Sequence, residues 1–328
     1  MTRYDKILLI ATTLGAIVAY AGLIVASGVG AWRFYLAGGI CSATSHAIPV
    51  PIDVVKTRMQ VDPKLAGKSL VEATRLMVEQ EGAQSLLAGL GPTTWGYLAE
   101  GSMKWGSYEV LKPAVSSMLV TMSTSAGFLG FLNSQIITFV ICGVVSGFVA
   151  AAMVCPMEAL RIRLVSEPNF APQGWIQGGI KMLQQEGVPA LWKGILPMIY
   201  KQVPYTVTKN VSFDLTTKYA YMFLISQGIA MTSATKITVP LIAAVLASIL
   251  SCISSQPGDM LLSLVNAHEG GRRTNDIMKD ILRSERGFRG FFVGMKTRFL
   301  HVGIIVTLQL FIYDFVKRLC GIAATGTV

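Results

Sequence analysis

The sequence predicts an all-α membrane protein, a six-helix bundle of threefold pseudosymmetry with a short helix inside each repeat and one extra transmembrane helix ahead of the first. Three observations carry this expectation. The 328 residues are 52% hydrophobic and 14% charged, whereas soluble domains are about 25% charged. A set of motifs recurs three times along the chain. Residues 7–31 hold no charged side chain, a run long enough to cross a bilayer, which takes about 20 apolar residues, and too long for the core of a secretory signal.

Prolines anchor the repeat. The segments read Pro51-Ile52-Asp53-Val54-Val55-Lys56-Thr57-Arg58, then Pro156-Met157-Glu158-Ala159-Leu160-Arg161-Ile162-Arg163, then Pro257-Gly258-Asp259-Met260-Leu261-Leu262. Glu81-Gly82 with Gly89, Glu186-Gly187 with Gly194, and Gly287 with Gly294 follow at matching offsets, and Tyr108-Glu109, Phe213-Asp214 and Tyr313-Asp314 close each unit. The chain therefore divides into an additional transmembrane segment (1–32) and three repeats (33–120, 121–225 and 226–328).

Within each repeat an apolar helix runs into the proline motif, over 34–60, 134–163 and 235–264. Short amphipathic helices follow over 69–81, 174–186 and 274–286, and second helices over 92–113, 197–222 and 295–318. A β-barrel is excluded because these runs exceed the 9–11 residues or so of a transmembrane strand. Small residues four apart, Gly38 and Ser42, Gly143 and Gly147, Ala244 and Ser248, stand in phase with the prolines and let neighbouring backbones approach. Pro51, Pro156 and Pro257 lack the amide donor a helix interior needs, so each is expected to kink its helix.

The formal charge of +10 comes without a Lys/Arg block or zinc-finger spacing, which argues against nucleic acid. The cysteines Cys41, Cys142, Cys155, Cys252 and Cys320 form no CxxC pair and read as free thiols, with no metal site. No nucleophilic triad suggests an enzyme. Lys104 and Lys209 interrupt apolar helices; such groups are costly against lipid and tolerable facing a wet interior.

These motifs resemble the mitochondrial carrier family, whose signature is Pro-x-acid-x-x-base followed by acid-Gly, and within it the phosphate-carrier branch. Thr44-Ser45-His46, Met59-Gln60, Lys201-Gln202-Val203-Pro204-Tyr205-Thr206, Asp259 with Ser263 and Asn266, and Gln309 through Asp314 carry the closer likeness. The resemblance covers about residues 33–320. It implies six helices around one substrate path that opens alternately to the two sides of the mitochondrial inner membrane, with the short helices on the matrix side. It implies phosphate or a related small anion as substrate, membrane lipids including structural cardiolipin as partners, and no catalytic residue.

By the same resemblance, Lys104, Lys209, Gln202, Thr206, Gln309 and Arg298 are expected to bind substrate, with Lys201 nearer a helix end and Thr307 adding a neutral contact. His46 and Glu100 are the proton-coupling candidates; His301 is secondary. A matrix-side gate is expected from Asp53–Arg161 and Asp259–Lys56. Glu158 is expected to lack its equivalent bond because Leu262 offers no charge. The opposite latch draws on Glu109, Lys112, Asp314 and Lys317, with Thr217 in the base position after Asp214.

Several positions depart from the family pattern. Gly147 and Ala151 stand where phosphate carriers place Glu and Asp, Leu87-Ala88-Gly89 replaces aromatic-base-Gly, and Arg286-Gly287 replaces acid-Gly. These changes, with the extra helix over 7–31, support an alternative: a carrier-derived structural subunit held in a larger membrane complex, respiratory or ATP-synthase, without transport.

Overall fold

The computed structural model describes residues 32–125, 134–228, 232–267 and 273–319. The helix expected over 7–31 lies outside the described residues, as do the side chains of Thr307, Tyr313, Asp314 and Lys317 and all of Cys320. Among the described residues the helices are α1 (Trp32–Ala47), α2 (Val50–Val61), α3 (Leu70–Glu81), α4 (Leu90–Ser125), α5 (Ser134–Ser166), α6 (Trp175–Gln185), α7 (Ile195–Ser226), α8 (Ser233–Asn266), α9 (Thr274–Arg283) and α10 (Met295–Leu319). Short 3-10 turns at Ala83–Leu87, Val188–Trp192 and Gly287–Phe292 precede α4, α7 and α10.

The chain is thus a three-repeat, largely α-helical fold. α1 packs on α4, α4 on α5, α5 on α7, α7 on α8, α8 on α10, and α10 back on α1, so the long helices close a ring. Only Ile136–Ser166 and Thr238–Asn266, among the described residues, are long and apolar enough by themselves to cross a membrane. The other long helices carry charges such as Glu100, Lys104, Lys201, Lys209 and Arg298, which lower their hydropathy; Glu100 and Arg298 are buried inside the ring, and Lys104 and Lys201 are nearly so.

Two boundaries differ from the sequence expectation. The first helix breaks at Ile48–Pro49, and Pro51 sits in the first turn of α2, because Pro49 and Pro51 remove two amide donors within one turn. Pro156 and Pro257 remain inside unbroken helices. α4 runs on to Ser125 with Pro113 inside it, beyond the expected end at 113. One proline deletes one intrahelical bond, and the Ala114, Ser117 and Met118 stretch continues the helix.

Turn chemistry sets the short helices. Ser69 caps α3 by accepting a hydrogen bond from the Glu72 amide at 3.2 Å, the expected work of an N-cap serine. Gly82, Gly187 and Gly287 take φ of +81°, +75° and +50°, a region open to glycine at little cost, and turn the chain into each 3-10 segment.

The small-residue pairs lie at helix seams. A Cβ on Gly38 would stand 2.6 Å from the Trp105 Cβ and 2.7 Å from the Gly101 carbonyl oxygen, and one on Gly101 would collide with Ser42. Gly143 and Gly147 let α5 approach α7 at Val207 and Val203. Gly101→Ala is expected to destabilise the α1–α4 seam by about 1–3 kcal/mol, the usual cost of overpacking, read as a lower unfolding midpoint in detergent.

Candidate functional site

α2, α5 and α8 touch one another where the three proline motifs lie, and their charged residues form one buried network. Arg161 donates to Asp53 through Nη1 and to Glu158 through Nε and Nη2, the latter pair at 2.9 and 3.0 Å. Lys56 Nζ lies 2.9 Å from Asp259 and 3.2 Å from Asp53. Gln60 donates to Asp259 at 3.3 Å and accepts from Ser263 at 2.7 Å. Asp53–Arg161 and Asp259–Lys56 therefore meet as the sequence reading paired them.

Glu158 differs from its expectation. Lys201, projecting from α7, places Nζ 3.1 Å from Glu158 and 3.1 Å from Asp259, so Glu158 is bridged to the third repeat despite Leu262. Lys201 therefore belongs to the motif network and does not simply mark a helix end. Arg298 of α10 donates to Gln256 at 2.7 Å and Ser255 at 2.6 Å, with Asp259 3.6 Å away. His301, secondary in the sequence reading, brings Nδ1 to 3.5 Å from Asp53.

Next to this network lies a cavity of about 60 Å³, lined in part by His46, Glu100, Lys104, Gln202, Tyr205 and Gln309. Lys104 Nζ is 2.7 Å from Glu100, whose second oxygen accepts from Ser42 at 3.1 Å, so this proton-coupling candidate stands in an ion pair. Lys209 Nζ sits over Trp105 at 5.1 Å and Tyr205 at 5.5 Å from the ring centroids, and no ion pair to a carboxylate is found for it among the described residues. Cation–π contact of this kind is worth about 0.5–2 kcal/mol, far less than the cost of desolvating an ammonium.

A charge balance follows. Lys56, Lys104, Arg161, Lys201, Lys209 and Arg298 face Asp53, Glu100, Glu158 and Asp259, a formal surplus of two positive charges. In a dry interior that surplus favours an anion. Gln202 and Thr206, 4% and 1% exposed, stand nearby; the Thr206 hydroxyl has no hydrogen-bond partner and lines a small recess with Lys104 and Lys209. Gln309 lines the main cavity, and its carbonyl oxygen accepts from the Cys41 thiol at 3.6 Å.

His46 stacks on Tyr97 with ring centroids 3.7 Å apart. Its Nδ1 lies 2.8 Å from the Ser42 carbonyl oxygen, which only accepts, so Nδ1 carries a proton. At Gly147 a Cβ would stand 3.0 Å from the Val203 backbone. Glycine there serves helix contact, and a larger side chain would need the Val203 backbone to give way slightly. Ala151 is fully buried against Tyr97 and Met198.

At the other end of the ring Glu109 pairs with Lys112 of its own helix at 3.9 Å; the Asp314 and Lys317 side chains fall outside the described set. Around the short helices, Arg58 holds Glu81 with bonds of 2.9 and 2.7 Å, and Arg163 lies 3.3 Å from Glu186. The third repeat has Leu264 and Arg286 at these places, and Leu264 packs instead against Leu261, Val265, Ile277 and Phe291.

A closed ring of three helix pairs around a buried, cation-rich cavity defines a solute-carrier class of protein. The profile of the family described as mitochondrial carrier protein matches residues 27–119, 133–223 and 233–322, and the chain belongs to the mitochondrial carrier family. It is accordingly a transporter of small solutes and not an enzyme, residing in the mitochondrial inner membrane.

Its relatives sharpen the comparison. The chain is 34% identical over 296 residues to mitochondrial substrate carrier family protein N of Dictyostelium discoideum, covering 88% of this chain and 95% of that one. It is 32% identical over 296 residues to solute carrier family 25 member 3 of Bos taurus, covering 88% and 77%. Identity is 31% over 298 residues to the mitochondrial phosphate carrier protein of Caenorhabditis elegans, covering 88% and 82%.

The sequence reading missed three parts of the site: the Lys201 bridge, the Trp105–Tyr205 platform under Lys209, and the His46–Tyr97 stack. Leu262 in place of a base, with a lysine on the next helix before it, was the one available signal for the first.

Proposed function

We propose that the chain carries phosphate, or a closely related small anion, across the inner membrane by alternating access through the cavity. In this reading the six long helices span the membrane as a threefold pseudosymmetric bundle, the short helices face the matrix, and the segment over 7–31 adds a further span. The carrying observation is the formal surplus of two positive charges around the cavity, with Lys209 held, among the described residues, by aromatic rings and no carboxylate. A phosphate dianion neutralises that surplus, and Lys104, Lys209, Gln202, Thr206 and Gln309 offer the several donors needed to replace its water. The phosphate carriers among the relatives support the same substrate.

The buried network of Asp53, Lys56, Glu158, Arg161, Asp259, Lys201 and Arg298 serves as the matrix gate, closed in this conformation. Glu109 and Lys112, with Asp314 and Lys317, form the opposing latch, and Pro51, Pro156 and Pro257 provide the bends about which the gates work. Glu100 and His46 are the groups through which a proton travels with the anion. Cardiolipin seats at the short-helix ends, where amides at helix starts favour lipid phosphates.

Reconstitution into sealed vesicles tests this reading. Saturable uptake of labelled phosphate is expected, faster with an imposed pH gradient, and Glu100→Gln is expected to remove the acceleration. No uptake of phosphate or any other small anion from folded, inserted protein would instead favour the non-transporting subunit of a larger complex.

A further inference from the structure

Two of the three motif helices carry their own gate base five residues after the proline: Lys56 after Pro51, Arg161 after Pro156. The third has Leu262, 1% exposed and packed with Ile162, Val154 and Met198. The missing charge nonetheless stands in the network, because Lys201 bridges Glu158 and Asp259 from α7.

The backbone is arranged for that bridge. Gly258, next to Asp259, lies so close to α7 that a Cβ there would collide with the Lys201 amide nitrogen and stand 2.7 Å from its Cα. The glycine thus brings the root of the Lys201 side chain against the Asp259 turn. The same side chain borders the cavity that holds Lys104 and Gln202.

We propose that Lys201 is the third base of the matrix gate and that an anion in the cavity releases it. This rests on the transport reading above. A base carried by α8 itself would stay within the ring of α2, α5 and α8, whereas Lys201 can turn toward the cavity while those three helices remain in place. Its ammonium has three donors, and a phosphate oxygen competes for them with the two carboxylates. Once Lys201 leaves, Glu158 and Asp259 face each other across the α5–α8 seam without their shared cation. Glu158 keeps Arg161, and Asp259 keeps Lys56 and Arg298, so the seam loses the cation that ties these two carboxylates together, and the gate is freed to open on the side away from the entering anion. Substrate binding and gate release then use one ammonium.

The test measures distance between spin labels on exposed Gln184→Cys in α6 and Lys279→Cys in α9, in full-length protein in vesicles with the native cysteines changed to alanine. Wild type is expected to give one short distribution that acquires a longer component with inorganic phosphate. Lys201→Gln is expected to show the longer component, at least about threefold enriched, without phosphate. Lys201→Gln with Leu262→Lys moves the base onto α8 and is expected to regain the short distribution while losing the response to phosphate. A Lys201→Gln resting distribution identical to wild type overturns the gate role. A wild type that does not respond to phosphate, or a relocated lysine that responds as wild type does, overturns release by the anion. Failure of the transport reading is seen separately, as absence of phosphate exchange by wild type in the same vesicles.

Discussion

Asp259→Asn is expected to be among the most damaging single substitutions in the chain, lowering stability by about 3–5 kcal/mol, the usual cost of removing one partner from a buried ion pair. The side chain nearly keeps its shape, so the loss is one of charge. Lys56, Lys201 and Arg298 all approach this carboxylate, at 2.9, 3.1 and 3.6 Å, and without it three buried cations share too little negative charge. Thermal unfolding in detergent checks this. Glu79→Gln serves as the comparison, since its pair with Arg75 is more than half exposed on both sides, and such pairs contribute about 0–1 kcal/mol. A fall of equal size in both variants would show that the burial of the gate does not govern its strength.

Lys209→Gln is expected to separate transport from stability. The ammonium contacts rings but forms no carboxylate ion pair among the described residues, so removing it relieves a desolvated charge and leaves stability unchanged or higher. Phosphate uptake is expected to fall about 10- to 100-fold, the equivalent of one hydrogen bond between charged groups at about 1.5–3 kcal/mol. Lys104→Gln behaves differently. It strands Glu100, which is 1% exposed and otherwise bonded, among the described residues, to Ser42 alone, so uptake and unfolding midpoint fall together. Paired measurements of uptake and unfolding on the two variants distinguish an anion site from two structural lysines.

Much of the ring was legible because the constraints repeat. Three prolines at near-equal intervals, each followed by an acid, mark equivalent helix ends, and the order in which Asp53 pairs with Arg161 and Lys56 with Asp259 comes from the family resemblance. Legibility ended where contact depends on how separate helices lean. Lys201 meets Asp259 where Gly258 lets α7 come close to α8, and of this bridge the chain shows only Leu262 standing where a base is expected. Sequence spacing does not place His46 over the Tyr97 ring or Lys209 over the Tyr205 ring; those contacts depend on how separate side chains turn. At Gly147 the absent carboxylate was plain, but its replacement by a tight α5–α7 contact was not. The break at Pro49 and the continuation of α4 past Pro113 show proline acting according to its neighbours: two close together end a helix, and one alone is carried through.

The central claim is that uncompensated positive charge inside the bundle moves an anion. Its most direct measurement is exchange of labelled for unlabelled phosphate, without any pH gradient, by purified protein in sealed vesicles. Exchange well above that of protein-free vesicles, abolished when Lys104→Gln and Lys209→Gln are combined in correctly inserted protein, is the predicted result. Exchange that persists undiminished in that double variant would place the anion path elsewhere and contradict the account.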